Sequence, residues 1–321
     1  MTGYLGGREM SNLRALNEVP SRSCEQNVEA VIPKTSAWKD FLALIKVGIV
    51  NSNMITTFTG LWLALYFTEA RFLANLDIVL YTLVGSALII AGSCAINNFY
   101  DRDIDPLMER TKVRPTVTGK ISPTITLLLG IGFIVLGVLF LLLTTFTATL
   151  LGILGIVSYV FLYTMWSKRK FISNTIIGSI SGAVPPLIGW AAVDPSLDVI
   201  AWSLFLIMFA WQPPHFYSLA MRRVDEYRAA GIPMLPVVKG FEVTKKHILA
   251  WVIILFPIPF LLTSLGIPFL ILATLLNVGW LLIGINGYRK KDDMKWAKSM
   301  FVYSLQYMTI MFVAMVIVTL V

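Results

Sequence analysis

Uncharged apolar runs of about 20 residues recur from residue 41 to the C-terminus, and their recurrence constrains this chain more than any single motif does. At about 1.5 Å of rise per residue, each run is long enough as a helix to cross about 30 Å of hydrocarbon. Charged residues make up only 14% of the 321 residues and hydrophobic ones 57%, whereas a soluble domain averages about 25% charged. The chain therefore reads as an all-α polytopic membrane protein, not as the two soluble domains its length would allow. Its net charge of +8, from 26 Lys plus Arg against 18 Asp plus Glu, is scattered over short connections and forms no continuous stripe. That distribution argues against a nucleic-acid partner and for charge-set membrane orientation. Cys24 and Cys94 supply neither a disulfide framework nor a structural zinc site.

Charged, Gly or Pro breaks divide the body into nine expected spans, near 41–66, 73–98, 122–143, 146–166, 172–193, 198–219, 246–265, 268–288 and 299–320. Ser264, Gly266 and Pro268 predict a tight turn between the seventh and eighth. Residues 1–37 mix Arg8, Arg14, Arg22 and Lys34 with Glu9, Glu18, Glu25 and Glu29 and have no apolar core, so they read as a polar cytoplasmic tail and not as a leader. Residues 38–321 form the membrane domain. Almost every remaining Lys and Arg falls in the connections at 99–121, 167–171, 220–245 and 289–298; the alternate connections hold only Arg71. The positive-inside rule then puts the tail and these loops in the cytoplasm of a bacterial cell, with Val321 outside.

Two charged clusters stand at cytoplasmic span ends. The first reads Asn97-Asn98-Phe99-Tyr100-Asp101-Arg102-Asp103-Ile104-Asp105-Pro106, followed by Arg110, Lys112, Arg114 and Pro115. If the helix runs on through Asp105, then Asn97, Asp101 and Asp105 share one face. Two carboxylates one turn apart repel unless a cation joins them, and hard oxygen donors suit Mg²⁺ carrying a diphosphate. Arg110 and Arg114 have the fork geometry to grip phosphate oxygens. A solvated loop with orientation charges is the plainer alternative for the same residues. Arg102 and Asp103 point off the shared face.

The second cluster opens with Trp211-Gln212-Pro213-Pro214-His215-Phe216-Tyr217 and continues through Arg222, Arg223, Asp225 and Arg228 to Ala230-Gly231-Ile232-Pro233-Met234-Leu235-Pro236. The proline pair predicts a kink that brings His215 and Tyr217 to the bundle mouth. Asp225 could supply a further metal carboxylate, with Arg222, Arg223 or Arg228 for phosphate. His215 could bind iron, move a proton or cap a helix, and His247 reads as interfacial. Tyr163, Trp166, Lys168, Arg169 and Asn174 mark the ends of the fourth and fifth spans; Lys168 and Arg169 read first as orientation charges. Ser181-Gly182-Ala183-Val184-Pro185-Pro186 favours close helix packing around a broken segment.

Asn97 to Pro115, Asn174 to Trp190 and Trp211 to Pro236 together resemble the intramembrane aromatic prenyltransferase family, and within it the branch that farnesylates heme. The resemblance covers roughly residues 38–320. It implies nine helices around a central cavity, farnesyl diphosphate and heme B as substrates, and Mg²⁺ held by Asp101 and Asp105 with help from Asp225. Asp101, Asp105, Asp225, Arg110 and Arg114 would be catalytic; Asn97, Tyr163, Lys168, Asn174, His215, Tyr217 and Arg222 would contact substrate. The reaction implied is addition of farnesyl to the 2-vinyl group of heme B with water, giving heme O. Heme A synthase or terminal-oxidase assembly factors are the candidate partners beyond the lipid bilayer. Members acting on quinone precursors carry a second Asp four residues after the position of Asp225, where this chain has Ala229; that departure favours the heme branch and implies an incomplete second metal motif. A quinone-precursor prenyltransferase and a secondary transporter are the competing functions. The heme-branch stretches argue against the first. Charges gathered at one face and a midplane almost free of them argue against the second.

Overall fold

The computed structural model describes residues 35–288 and 292–320, so the expected N-terminal tail lies almost wholly outside the described residues. Helix α1 (Ala37–Leu44) is capped by Ser36, and α2 (Val47–Phe67) follows it after a 54° bend. The bend falls at Lys46, whose φ of 52° is left-handed, so the first expected span is a broken one. Then come α3 (Leu76–Tyr100), α4 (Pro123–Leu142), α5 (Phe146–Ile156) running on as a π-helical segment over Val157–Ser167, α6 (Asn174–Ala191), α7 (Val199–Arg222), the short α8 (Val224–Ala229), α9 (Leu235–Leu255), α10 (Gly266–Tyr288) and α11 (Asp293–Ile317). Helix starts follow capping chemistry: Thr145, Asp198 and Asp292 each accept from a backbone N–H two or three residues ahead, at 2.9–3.0 Å.

Among the described residues, six helical stretches are long and apolar enough to cross a membrane, or seven when α1 and α2 count as one bent span. The protein is thus an all-α polytopic membrane protein. With the bent span counted, the difference from the nine expected spans arises at two places. Helix α6 begins Asn174-Thr175 and carries Ser179 and Ser181, but Ala183 through Ala191 are buried. A helix surrounded by protein rather than lipid need not be uniformly apolar. Residues Leu235–Tyr288 register as one stretch of 54 residues, although a 3₁₀ segment over Ile258–Leu265 and Gly266, at φ 84°, interrupt it. Beyond that turn α10 returns along α9: a Cβ on Gly284 would meet Leu249, and the Lys245 ammonium lies 4.7 Å from the Tyr288 ring. The turn expected at Gly266 is where the chain reverses.

The proline pairs do not end their helices. Both α6 and α7 run through theirs. Beside them, Gln212 Nε2 donates to Ser179 O at 2.9 Å, tying α7 to α6, and to Met208 O at 3.1 Å, and Ser218 Oγ donates to Pro214 O at 2.6 Å. Close approach needs glycine on both sides of these helices. A Cβ on Gly60 of α2 would penetrate the Pro186 carbonyl, and one on Gly189 of α6 the Thr57 carbonyl. Gly85 and Gly92 of α3 oppose Gly137 and Gly130 of α4 in the same manner, one heptad apart.

An apolar groove of about 490 Å³ lies between α2, α3 and α11, lined by Met54, Ile55, Phe58, Thr59, Leu83, Val313, Val316 and Ile317. Its neighbour Trp62 donates from Nε1 to Thr319 Oγ1 at 2.8 Å, tying α2 to the end of α11. The packing makes one clear demand. Gly189→Val should cost more than the ~1–3 kcal/mol of ordinary overpacking, because backbone and not a side-chain tip fills the space, and fluorescence-detected size exclusion should show loss of the monodisperse folded peak.

Candidate active site

The charged connections meet at one end of the bundle. Helix α3 stops at Tyr100, and Asp101–Asp103 and Asp105–Leu107 follow as separate 3₁₀ turns, so the uninterrupted helix through Asp105 is not formed. Pro106 disfavours α-helical geometry at the residue before it. Both aspartates are nevertheless buried, Asp101 at 0% exposure and Asp105 at 2%. Asp101 is ion-paired to Lys168 and, at 3.3 Å, to Arg169, and it accepts from Asn97 Nδ2 at 2.9 Å. Asn97 also donates to Thr164 Oγ1 at 3.0 Å and accepts from Lys46 Nζ. Asp105 pairs with Arg114 at 2.6 Å, and its carbonyl accepts from Thr111 Oγ1 at 2.8 Å.

Asp103 and Arg102 are exposed, as expected. Asp103 still matters locally, because Arg169 reaches it at 2.7 Å while also touching Asp101. The Asp103 carboxylate is the main influence holding the Arg169 guanidinium above its ordinary pKa, so Arg169 stays charged at any physiological pH. Asn174 is buried and donates to the Lys168 carbonyl at 3.4 Å, which braces the turn that presents Lys168 and Arg169. Tyr163 is half-buried against Gly178 and 5.8 Å from the Tyr159 ring.

The second motif reaches the first through a neighbour of the expected residue. Asp225 is exposed on α8, its side chain 89% accessible, and pairs with Arg228 at 2.5 Å. Glu226 is the carboxylate turned inward: it pairs with Arg223 and accepts from the Arg110 backbone N–H at 3.4 Å. Beside it, Met108 packs with Ala220, Ala230, Ile232 and Met234, with Tyr227 against them. Burial pushes the Tyr227 hydroxyl above its usual pKa. The Arg110 side chain is exposed.

His215, Arg222 and Tyr217 lie on α7. His215 Nδ1 is 2.8 Å from Ser304 Oγ of α11, and Arg222 sits over the Phe301 ring at 5.1 Å. Tyr217 is 2% exposed in the main core, with the exposed His247 ring 6.4 Å away.

Among the described residues no three acidic, His or Cys side chains gather into a metal cage. Mg²⁺ seldom needs one: it is commonly held by one or two carboxylates together with substrate phosphates and water. Asp101 and Asp105 are buried hard-oxygen donors with three cations beside them, and that set fits a Mg²⁺-diphosphate pair.

The profile of the UbiA prenyltransferase family matches residues 53–306, which takes in both motifs and the helices between them. This chain belongs to the UbiA prenyltransferase family. It is 62% identical over 311 residues to the protoheme IX farnesyltransferase of Geobacillus sp. (strain WCH70), covering 97% of this chain and 100% of that one. Its fold is similar to that of a solved digeranylgeranylglyceryl phosphate synthase, with a TM-score of 0.67 and 20% identity over 88% of this chain and 98% of that one. A UbiA homolog from Archaeoglobus fulgidus bound to GPP and Mg²⁺ superimposes with a TM-score of 0.61 and 16% identity, covering 86% and 99% of the two chains.

Within this family site, four residues were not foreseen as site groups: Lys46, Arg169, Glu226 and Ser304. Lys46 carried a signal, as a lone cation inside an apolar run. The Glu226 tie between loops has a measurable consequence. Glu226→Ala removes a partly exposed ion pair and a hydrogen bond, about 1 kcal/mol together, and should raise trypsin cleavage at Arg110 and Lys112 about fivefold in limited proteolysis while the core peak is retained.

Proposed function

We propose that this chain transfers the farnesyl group of farnesyl diphosphate to the 2-vinyl group of heme B, with addition of water, to give heme O and diphosphate. The observation that carries this reading is the pair of buried carboxylates, Asp101 and Asp105, each matched by cations from the adjoining connections. Diphosphate binding lets Lys168, Arg169 and Arg114 exchange carboxylate oxygens for phosphate oxygens without leaving any charge unmatched. Asp101 and Asp105, with Asn97 beside them, would hold Mg²⁺, which when bound neutralises charge growing on the diphosphate leaving group. The cations act hardest as the C1–oxygen bond of farnesyl breaks, since preorganised charges favour the state where charge develops. C1 then bonds to the terminal vinyl carbon, and water adds at the carbon next to the porphyrin with loss of a proton.

Met54, at the near end of the apolar groove, is eight positions along from Lys46, about 12 Å of helical rise, so the groove is the proposed site for the farnesyl chain of a diphosphate held near Asn97. His215 and Arg222 are the groups proposed for heme, and Asn174 and Tyr163 support the Lys168 turn. Asp225 is proposed to act through Arg228 or from outside the metal, given its exposure. Heme A synthase or an oxidase assembly factor is the proposed receiver of heme O.

The proposed topology is nine crossings with both motifs cytoplasmic. Contacts between connections support it. Asp103 touches Arg169, Arg110 touches Glu226 and Lys245 touches Asp293 at 2.8 Å, and each pair is separated by an even number of helices that must go out and back. That parity counts α6 and separates α9 from α10.

Two measurements test these readings. In a host lacking heme farnesylation, the wild type should make heme O, and Asp101→Asn or Asp105→Asn should lower the yield by about 100-fold or more with the folded peak retained. Prenylation of a phenolic acid and none of heme would sink the assignment. A reporter fused after Val321 should be active outside the cell; activity in the cytoplasm would overturn the nine-span count.

A further inference from the structure

The imidazole of His215 is held more firmly than a packing residue requires. Its ring is stacked against Trp211 at 4.7 Å and against Phe301 at 4.9 Å, with interplanar angles of 20° and 27°. The exposed Phe216 stands nearly perpendicular at 5.1 Å. With aromatic rings along its faces, the imidazole can present only an edge.

Its hydrogen bonds decide which edge. Ser304 Oγ donates its one hydrogen to Phe301 O at 2.6 Å. That oxygen can therefore only accept from His215 Nδ1, 2.8 Å away. The proton resides on Nδ1, and Nε2 carries a bare lone pair in the plane of the ring. Among the described residues Nε2 has no partner, while the ring itself is only half-buried. Ser304 is fixed in turn, because its carbonyl accepts from Trp211 Nε1 at 2.7 Å. A neutral imidazole with Nδ1–H engaged and Nε2 open is the arrangement proteins use to bind iron. Two helical turns further along α7, Arg222 lies over the same Phe301 ring, within the same aromatic patch, and offers a cation for a carboxylate.

We propose that His215 Nε2 is an axial ligand to the iron of the heme substrate, that Ser304 is the positioning residue setting its tautomer, and that Arg222 pairs with a heme propionate. The assignment rests on the heme-farnesylating reading and adds to it how the porphyrin is oriented. Coordination pins the ring centre to α7 and α11, and the propionate contact removes rotation about the iron–nitrogen axis. Together they select one vinyl group for the diphosphate end. No bond is made or broken in this binding step beyond iron–nitrogen coordination.

The test compares heme B with iron-free protoporphyrin IX on the purified full chain in lipid nanodiscs. Wild type should bind heme at least tenfold more tightly than the iron-free ring and show the absorption and resonance Raman signature of a histidine-ligated iron. His215→Ala should abolish both the preference and the signature while leaving protoporphyrin IX affinity unchanged, and added imidazole should restore the signature. Ser304→Ala should keep ligation but lower the ferrous iron–histidine stretching frequency, because Nδ1–H loses its acceptor; a purely structural serine would not move it. Equal wild-type affinity for the two rings overturns the proposal, and that result does not depend on any variant folding. A His215→Ala protein that keeps the iron signature but releases a heme product lighter by one water also overturns it, in favour of a proton-accepting role. If wild type shows the ligated signature but makes no heme O, ligation stands and the farnesylation reading fails.

Discussion

A carboxylate sealed inside a membrane protein must be matched by positive charge, and Asp101 is the group on which that requirement falls. It has no solvent exposure, and its partners come from two other parts of the chain: Lys168 and Arg169 from the turn after the π-helical segment, Lys46 through Asn97 from the bend before α2. An unpaired ion there would cost several kcal/mol. The pairing gathers three segments of sequence at one end of the bundle. It also stores the charges that a diphosphate needs. A buried ion pair gains little over an apolar contact in stability, so its value lies in being exchangeable.

Below this polar end, the bundle is assembled by removing side chains as much as by adding them. Glycines on α2, α3, α4 and α6 let backbones touch, and Gln212, just before the proline pair of α7, donates across to the Ser179 carbonyl of α6. In lipid no hydrophobic force drives helices together, so close contact and internal hydrogen bonding carry the association. That frame fixes the spacing between α7 and α11, where His215 meets Ser304, and between α2 and α11, where the apolar groove lies. The two substrates proposed for the site differ in the same way: one has a charged head and a greasy tail, the other a flat ring with carboxylates.

Much of the site could be read from the sequence because it is local. Asn97, Asp101 and Asp105 are spaced by four residues, and Arg114 lies close enough along the loop to pair with Asp105. The detailed backbone was less legible: a helix through Asp105 was a fair reading of the spacing, but Pro106 and the buried ion pairs favour 3₁₀ turns. The helices run on through both proline pairs, where the sequence suggested a break. Asp225 and Glu226 are adjacent carboxylates on one short helix. Only the packing of Met108 against Ile232 and Met234 turns Glu226 inward and leaves Asp225 in solvent. Lys46, Arg169 and Ser304 escaped for a related reason, since each gains its role from a partner more than 50 positions away.

The sequence by itself determined the membrane class, the all-α architecture, the one-sided placement of charge and the family, because apolar run length and motif spacing are local properties that survive any packing arrangement. Tertiary structure decided which carboxylate faces which cation, which helix is buried among the others, and which nitrogen of His215 carries the proton. Those outcomes depend on competition among distant groups for the same few buried positions, and no stretch of the chain records that competition on its own.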